Sequence, residues 1–319
     1  MSDSRLEHIA VLGAGVLGGQ IAWHSAFKGK TVAVYDPFPD ALENARATHQ
    51  SYVGIYRDAL GADDAAIEAT RNRLSYHAEM APAVEDVDFV IEAVPEVPEI
   101  KTDVYQQIAP LLPDRTLIAT NSSTLLARDF AEATGRPSKY CALHFANMIW
   151  SLNVVEIMAH PDTSAATLAS VTHFALEIGM VPIPVRREQS GYVMNSWFVP
   201  LLMSGISLVA TGVASAEDVD RSYMIANPGA PMGPCGFADL VGFKTTYDIA
   251  SYWGEARNDE QLLTVAAFVK ERFLDRGLQG RRGGEGFYKY PNPAYEACGF
   301  LDVPDASVVP EIVKAVLPA

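Results

Sequence analysis

The chain has 319 residues, 49% of them hydrophobic, which is ample for a packed core and long enough for two domains. Its formal net charge is −15 and no Lys/Arg cluster offsets it, so nucleic acid and an anionic membrane surface are excluded as expected partners. Three widely spaced cysteines, Cys141, Cys235 and Cys298, form no CxxC pair, so neither a disulfide framework nor a metal site is expected. The opening residues carry no extended apolar segment with a cleavage signal, and no run approaches the ~18 apolar residues of a membrane span. A soluble, cytoplasmic protein is the expectation.

The first predicted element is a strand over 7–12 (EHIAVL), followed by GAGVLG (13–18), a helix-compatible stretch and a second strand, TVAVYD (31–36). A polar helical stretch is predicted from 38 to 80, punctuated around Gly61-Ala62-Asp63-Asp64. DFVIEAV (88–94) reads as a buried strand, a helix is predicted near 99–110, and TLIATNSS (116–123) reads as a strand ending in a polar turn. CALHF and NVVEI, within 141–158, read as two strands around a short break. A helix near 163–179 follows, then VPIPV (181–185), a predicted edge strand because its prolines remove ladder donors. From about 188 strands become scarce. The apolar stretch 192–211 is helix-like, and helices are predicted near 216–226, 236–253 and 259–276.

Gly13, Gly15 and Gly18 form G-x-G-x-x-G between a predicted strand and a predicted helix, the context that the dinucleotide fingerprint requires. The turn Gly13-Ala14-Gly15-Val16-Leu17-Gly18 would offer free N–H groups and a positive helix end to a pyrophosphate. Asp36 stands at the end of the next strand, where a carboxylate can accept both ribose hydroxyls of NAD and repel the 2′-phosphate of NADP. No Arg or Lys immediately follows it. NAD is therefore the expected cofactor. The expected fold is α/β: an N-terminal Rossmann-type doubly wound sheet over 1–187, then a mainly α-helical C-terminal domain over 188–319. The helical domain is expected to bind substrate and, through its apolar stretch 192–211, to form a homodimer. The site is expected in the cleft between the domains.

His144 and Glu156 each stand in a run otherwise built for burial, and a buried charge without a partner is costly. If the two strands form an antiparallel hairpin with residues near 145 and 153 flanking the turn, His144 lies opposite a residue near 154. Glu156 is then its diagonal neighbour on the same face. A carboxylate on one ring nitrogen fixes the tautomer and leaves the other nitrogen to exchange a proton with substrate.

Taken together, GAGVLG (13–18), VIEAVPE (90–96), TNSSTL (120–125), LHFAN (143–147), GYVMN (191–195), APMGP (230–234) and GEGFYKY (284–290) resemble the L-3-hydroxyacyl-CoA dehydrogenase family over nearly the whole chain. The likeness is greatest to its short bacterial members, the diketoreductase-like subgroup. The resemblance implies that His144 is the catalytic base, Glu156 its orienting carboxylate, and that Ser123 and Asn195 hydrogen-bond the substrate oxygen. It also implies cofactor contacts from the glycine turn, Asp36, Glu96, Lys101, Ser123, Asn147 and Arg282. The reaction it implies is hydride transfer between nicotinamide and a 3-hydroxy or 3-keto substrate, with a CoA thioester as one form of that substrate.

Two departures from the family pattern stand out. Ala146 and Met148 reshape the loop after His144, and Ile149 and Trp150 are expected to add bulk near the substrate. The helical region matching the family's coenzyme A contacts has Arg57, Arg71 and Arg73 but no lysine, and is acidic around Asp63 and Asp64. A smaller substrate, such as a 3,5-diketo ester, a hydroxy acid or a sugar acid, is the alternative. A nucleotide-binding protein without turnover is the competing class.

Overall fold

The computed structural model describes residues 6–302. The chain divides into two compact units, Met1–Ser196 and Trp197–Ala319.

The first unit follows the order β1 (His8–Leu12), α1 (Val16–Phe27), β2 (Thr31–Tyr35), α2 (Pro39–Leu60), α3 (Asp64–Asn72), β3 (Leu74–His77), α4 (Met80–Val84), β4 (Phe89–Glu92), α5 (Pro98–Ile108), β5 (Leu117–Thr120), β6 (Tyr140–Phe145), β7 (Val154–Met158), α6 (Ala165–Glu177) and β8 (Val181–Val185). The eight strands form one sheet in the order β3-β2-β1-β4-β5-β6-β7-β8. Strands β1 to β6 are mutually parallel, β7 runs antiparallel to β6, and β8 pairs parallel with β7. The link between β6 and β7 is too short for a crossover, so only an antiparallel neighbour is possible there.

Alternation along the strands builds two cores. Ile9 and Val11 of β1, with Leu143 and Phe145 of β6, bury against α1 and α6 residues such as Ile21, Ala22, Val171 and Phe174. Ala10 and Leu12, with Tyr140 and Ala142, bury on the opposite face against Val84, Tyr105 and Ile108. Burial on both faces explains why these strands read as continuous apolar runs.

Two expectations need correction. The stretch predicted helical from 38 to 80 holds α2 and α3, split at left-handed Gly61, but also the edge strand β3. LSYH is short, only half-buried and not apolar, so periodicity does not announce it; pairing with β2 makes it a strand. The predicted helix 236–253 breaks at Gly242, which sits at φ 91°. The edge position of VPIPV is as expected, because β8 ends the sheet.

The second unit takes most of α7 (Met194–Ala210), then α8 (Ala216–Ala226), α9 (Pro234–Val241), α10 (Phe243–Arg257) and α11 (Glu260–Arg272). Val199, Met203, Ile206, Phe243, Trp253, Val265 and Phe273 form its main core. Among the described residues no strand follows Val185, only isolated bridges pairing Glu285 with Gly280 and Lys289. No described helix is long and apolar enough to cross a membrane.

Candidate active site and cofactor cradle

The C-terminal ends of β1, β2, β4 and β5 and the β6–β7 hairpin carry the candidate functional residues of the first unit. The glycine turn comes first. Gly13 takes φ 105°, and its N–H donates to the Tyr35 carbonyl at 2.8 Å. A Cβ at Gly18 would lie 2.0 Å from the Gly13 carbonyl oxygen, so only glycine allows helix and turn to close this tightly. Around Gly15 the reverse holds: a Cβ would meet nothing within 4 Å. Gly15 is the N-cap of α1 with no side-chain cap, and the first turn has no acidic residue. The helix therefore presents free N–H groups and its positive end to open space, a fit for a pyrophosphate.

Asp36 braces this turn. Its Oδ2 accepts the Ala14 N–H at 3.0 Å and its Oδ1 the Phe38 N–H at 3.1 Å. Each oxygen retains a lone pair, so the carboxylate can also accept ribose hydroxyls.

A second layer lies behind β4 and β5. Glu92, wholly buried at the end of β4, accepts from the Lys101 ammonium at 2.7 Å, the Val94 N–H at 2.9 Å, Tyr105 Oη at 2.6 Å and Thr120 Oγ1 at 2.7 Å. Lys101 is 1% exposed and also reaches Glu96 at 3.4 Å. Glu96 in turn gathers the turn after β5. Its Oε1 accepts the N–H groups of Ser123 at 3.0 Å, Thr124 at 2.8 Å and Leu125 at 3.2 Å, and the hydroxyls of Ser122 and Thr124. Burial works against charge on Glu96, but Lys101 and these hydrogen bonds outweigh it and hold its carboxyl below the usual range. Lys101, expected at the cofactor, is thus enclosed between two carboxylates.

That turn delivers Ser123 to His144. Ser123 Oγ lies 3.1 Å from His144 Nε2, and His144 Nδ1 lies 2.9 Å from Glu156 Oε2. The carboxylate can only accept, so Nδ1 carries the hydrogen and Nε2 is left to exchange a proton. His144 and Glu156 are 3% and 1% exposed. The expected register needs correction: His144 pairs directly opposite Glu156, not diagonally. The connection turns at Met148–Ser151, with Met148 at φ 60°, which shifts the hairpin centre from the position assumed. Glu156 Oε1 accepts the N–H groups of Val193 and Met194, both at 2.8 Å, at the start of α7.

Asn195 follows these two amides, and its side chain makes no hydrogen bond among the described residues. Asn147 is exposed on the loop after β6. Arg282 is exposed in a 3-10 turn, Arg281–Gly283, of the second unit. Ile149 and Trp150 overturn their expectation: Ile149 is fully buried in the core against β6, and Trp150 packs on Tyr52 and Tyr56 of α2, ring centroids 5.2 and 6.2 Å away. Buried Gln20 fixes this path by accepting the Met148 N–H at 2.7 Å.

Glu92, Asn121, Gln20 and Tyr192 do not stand out in the sequence as site residues. Glu92 carries a signal, a carboxylate inside an apolar strand, the same one that singles out His144 and Glu156. Asn121 accepts the Phe145 N–H at 2.9 Å across the strand ends, and an amide after a strand gives no such hint.

A dinucleotide cradle beside a buried histidine–glutamate pair, with a half-buried serine on the free ring nitrogen, defines an NAD-dependent oxidoreductase. The comparisons agree. Residues 8–189 match the family described as 3-hydroxyacyl-CoA dehydrogenase, NAD binding domain, and residues 191–290 match its C-terminal domain. The human mitochondrial hydroxyacyl-coenzyme A dehydrogenase is 30% identical over 290 residues, covering 89% of this chain and 91% of that protein. A solved diketoreductase, described as acting on dicarbonyl compounds, is 41% identical with a TM-score of 0.81, covering 90% of this chain and 99% of that one. The (S)-3-hydroxybutyryl-CoA dehydrogenase of Ralstonia eutropha is 25% identical with a TM-score of 0.76, covering 90% and 100%. The chain belongs to the 3-hydroxyacyl-CoA dehydrogenase family, and its N-terminal part is that family's NAD-binding domain.

Proposed function

We propose that the protein interconverts 3-hydroxy and 3-keto groups, with His144 moving the proton and Glu156 holding its ring. The observation that carries this is the line Ser123 Oγ–His144 Nε2–Glu156 Oε2, in which the histidine and the glutamate are buried. NAD, when bound, accepts or supplies the hydride. During oxidation neutral Nε2 takes the hydroxyl proton; during reduction it returns that proton to the forming alcohol. Glu156, anchored by two backbone amides, keeps the hydrogen on Nδ1 and stabilises the imidazolium. The Ser123 hydroxyl lies where a substrate oxygen would meet Nε2, and Asn195 supplies a second donor to that oxygen. Gly13 to Gly18 and Asp36 hold the dinucleotide, with Asn147 as a further contact. Glu96 sets the Ser123 turn, and Lys101 holds Glu96.

The substrate is a small 3-keto or 3-hydroxy compound, free or esterified. In the helical region after β2, Arg57 pairs with Asp64, Arg71 with Gln50 and Glu68, and Arg73 bonds the Ala26 carbonyl, so these cations have local partners. The likeness to a diketoreductase supports the same reading. A CoA thioester is the second reading, favoured by the names of the other relatives. NADH consumption with acetoacetyl-CoA, acetoacetate and a 3,5-diketo ester separates them. Higher kcat/KM on the last two is expected; preference for the thioester would establish the second reading.

A further inference from the structure

One four-residue segment, Gly191–Met194, touches every member of the proton-transfer line. The Gly191 N–H donates to the Ser123 carbonyl at 3.2 Å. The Tyr192 ring lies on the His144 imidazole, centroids 4.7 Å apart and planes inclined by 24°. The Val193 and Met194 N–H groups hold Glu156. Gly191 and Tyr192 are both left-handed, at φ 82° and 51°, and a non-glycine residue adopts that conformation only when its surroundings impose it.

We propose that Tyr192 is a positioning residue for His144, whose ring fixes the imidazole plane between Ser123 and Glu156 and steadies the imidazolium through its π face. Tyr192 is 1% exposed, yet among the described residues its hydroxyl has no hydrogen-bond partner. Since a buried hydroxyl without a partner destabilises, the hydroxyl does not explain the residue's placement. The aromatic face does. A cation stacked on an aromatic ring is attracted by its quadrupole, and the attraction strengthens where water is excluded. Glu92 and Cys141 also lie close enough to act electrostatically on Tyr192; among the described residues, the charged groups linked to the imidazole itself are Glu156 on β7 and, through the Ser123 turn, Glu96 after β4. The ring covers the imidazole face that neither addresses, while the strained backbone aims the next two amides at Glu156. Tyr192 thus acts on ring and carboxylate from one anchor.

This rests on His144 as the proton-transferring group, so His144→Ala is measured alongside. The test places phenylalanine, difluorophenylalanine and pentafluorophenylalanine at 192. The series keeps the ring's shape while draining its π face. The readouts are the pH profile of kcat for ketone reduction, KM for NADH, and thermal melting. Tyr192→Phe is expected to retain the wild-type profile. Fluorination is expected to move the alkaline limb to lower pH by roughly half a unit or more and to lower kcat about three- to ten-fold at neutral pH, with KM for NADH unchanged. The difluoro variant carries the comparison if the pentafluoro variant does not fold. Superimposable profiles across the series would overturn the proposal, as would a Tyr192→Phe loss equal to that of the fluorinated forms. Near-normal turnover in His144→Ala would instead remove the reading on which it rests.

Discussion

Two regions bury carboxylates and use them differently. In the middle of β7, Glu156 binds two backbone amides through one oxygen and an imidazole through the other. In the second unit, Asp239 accepts the N–H groups of Phe287 and Tyr288, both at 2.9 Å, and Tyr290 Oη at 3.1 Å. Its neighbour Asp220 accepts from Cys235 and Gly236 N–H, both at 2.7 Å, and Tyr288 Oη at 2.9 Å. These aspartates face neutral donors and hold the chain in place, tying GEGFYKY and the residues after APMGP to the helices. Glu156 faces a group that can change its charge and whose other nitrogen meets Ser123. The nature of the partner, not burial itself, separates the proposed proton-transfer pair from scaffold.

Four substitutions sharpen this contrast. His144→Ala is expected to lower turnover by ~10²–10⁴ with little change in NADH affinity, the usual worth of a general acid–base residue. Steady-state kinetics with a fluorescence titration of NADH measures both. Lys101→Met is expected to destabilise the first unit by ~3–5 kcal/mol, because Glu92 would stay buried without its cation. Urea unfolding reads that loss. Asp239→Asn is expected to cost ~1–3 kcal/mol and to leave NADH binding intact, since one of the two acceptor oxygens becomes an NH2 donor facing a backbone N–H that then lacks its acceptor.

Asp239 also carries a pH signature. Burial pushes its carboxyl up to about 6, against the bonds from Tyr288, Phe287 and Tyr290 that pull it down. A raised folded value means that the folded state binds the proton more tightly. The contribution is therefore most favourable below the ordinary carboxylate range and is lost as pH rises through about 6. Melting temperatures across that interval should fall for the parent and flatten in Asp239→Asn. The smallest effect is expected from Asp36→Ala: a roughly ten-fold loss of preference for NAD over NADP, with weaker binding of both because the Ala14 N–H loses its acceptor. An unchanged preference would assign ribose reading to another residue.

Much of this is legible in the sequence, for physical reasons. The glycine turn and Asp36 stand at fixed offsets on a strand–turn–helix–strand unit, so local chemistry declares them. His144 and Glu156 declare themselves as charges in apolar strands. The register between them does not, because it depends on how the loop from Ala146 to Asn153 turns, which side-chain pattern does not encode. Trp150 misleads for a similar reason: an aromatic beside a catalytic strand looks like a substrate wall, whereas Gln20 and Met148 direct the loop onto α2. The anchors of Glu156 are backbone amides, and β3 is defined by its neighbour β2. Neither leaves a mark in residue type.

The most direct measurement is a double-mutant cycle on hydride transfer under single-turnover conditions, using His144→Ala, Glu156→Gln and the double variant. The amide introduced by Glu156→Gln keeps an acceptor oxygen for the Val193 and Met194 N–H groups, so the cycle isolates the carboxylate's action on the imidazole. If the two residues work as one proton-transfer unit, the double variant is expected to be no slower than His144→Ala alone. Multiplied losses would mean that Glu156 acts independently of His144, and would contradict the assignment of this pair as the centre of the chemistry.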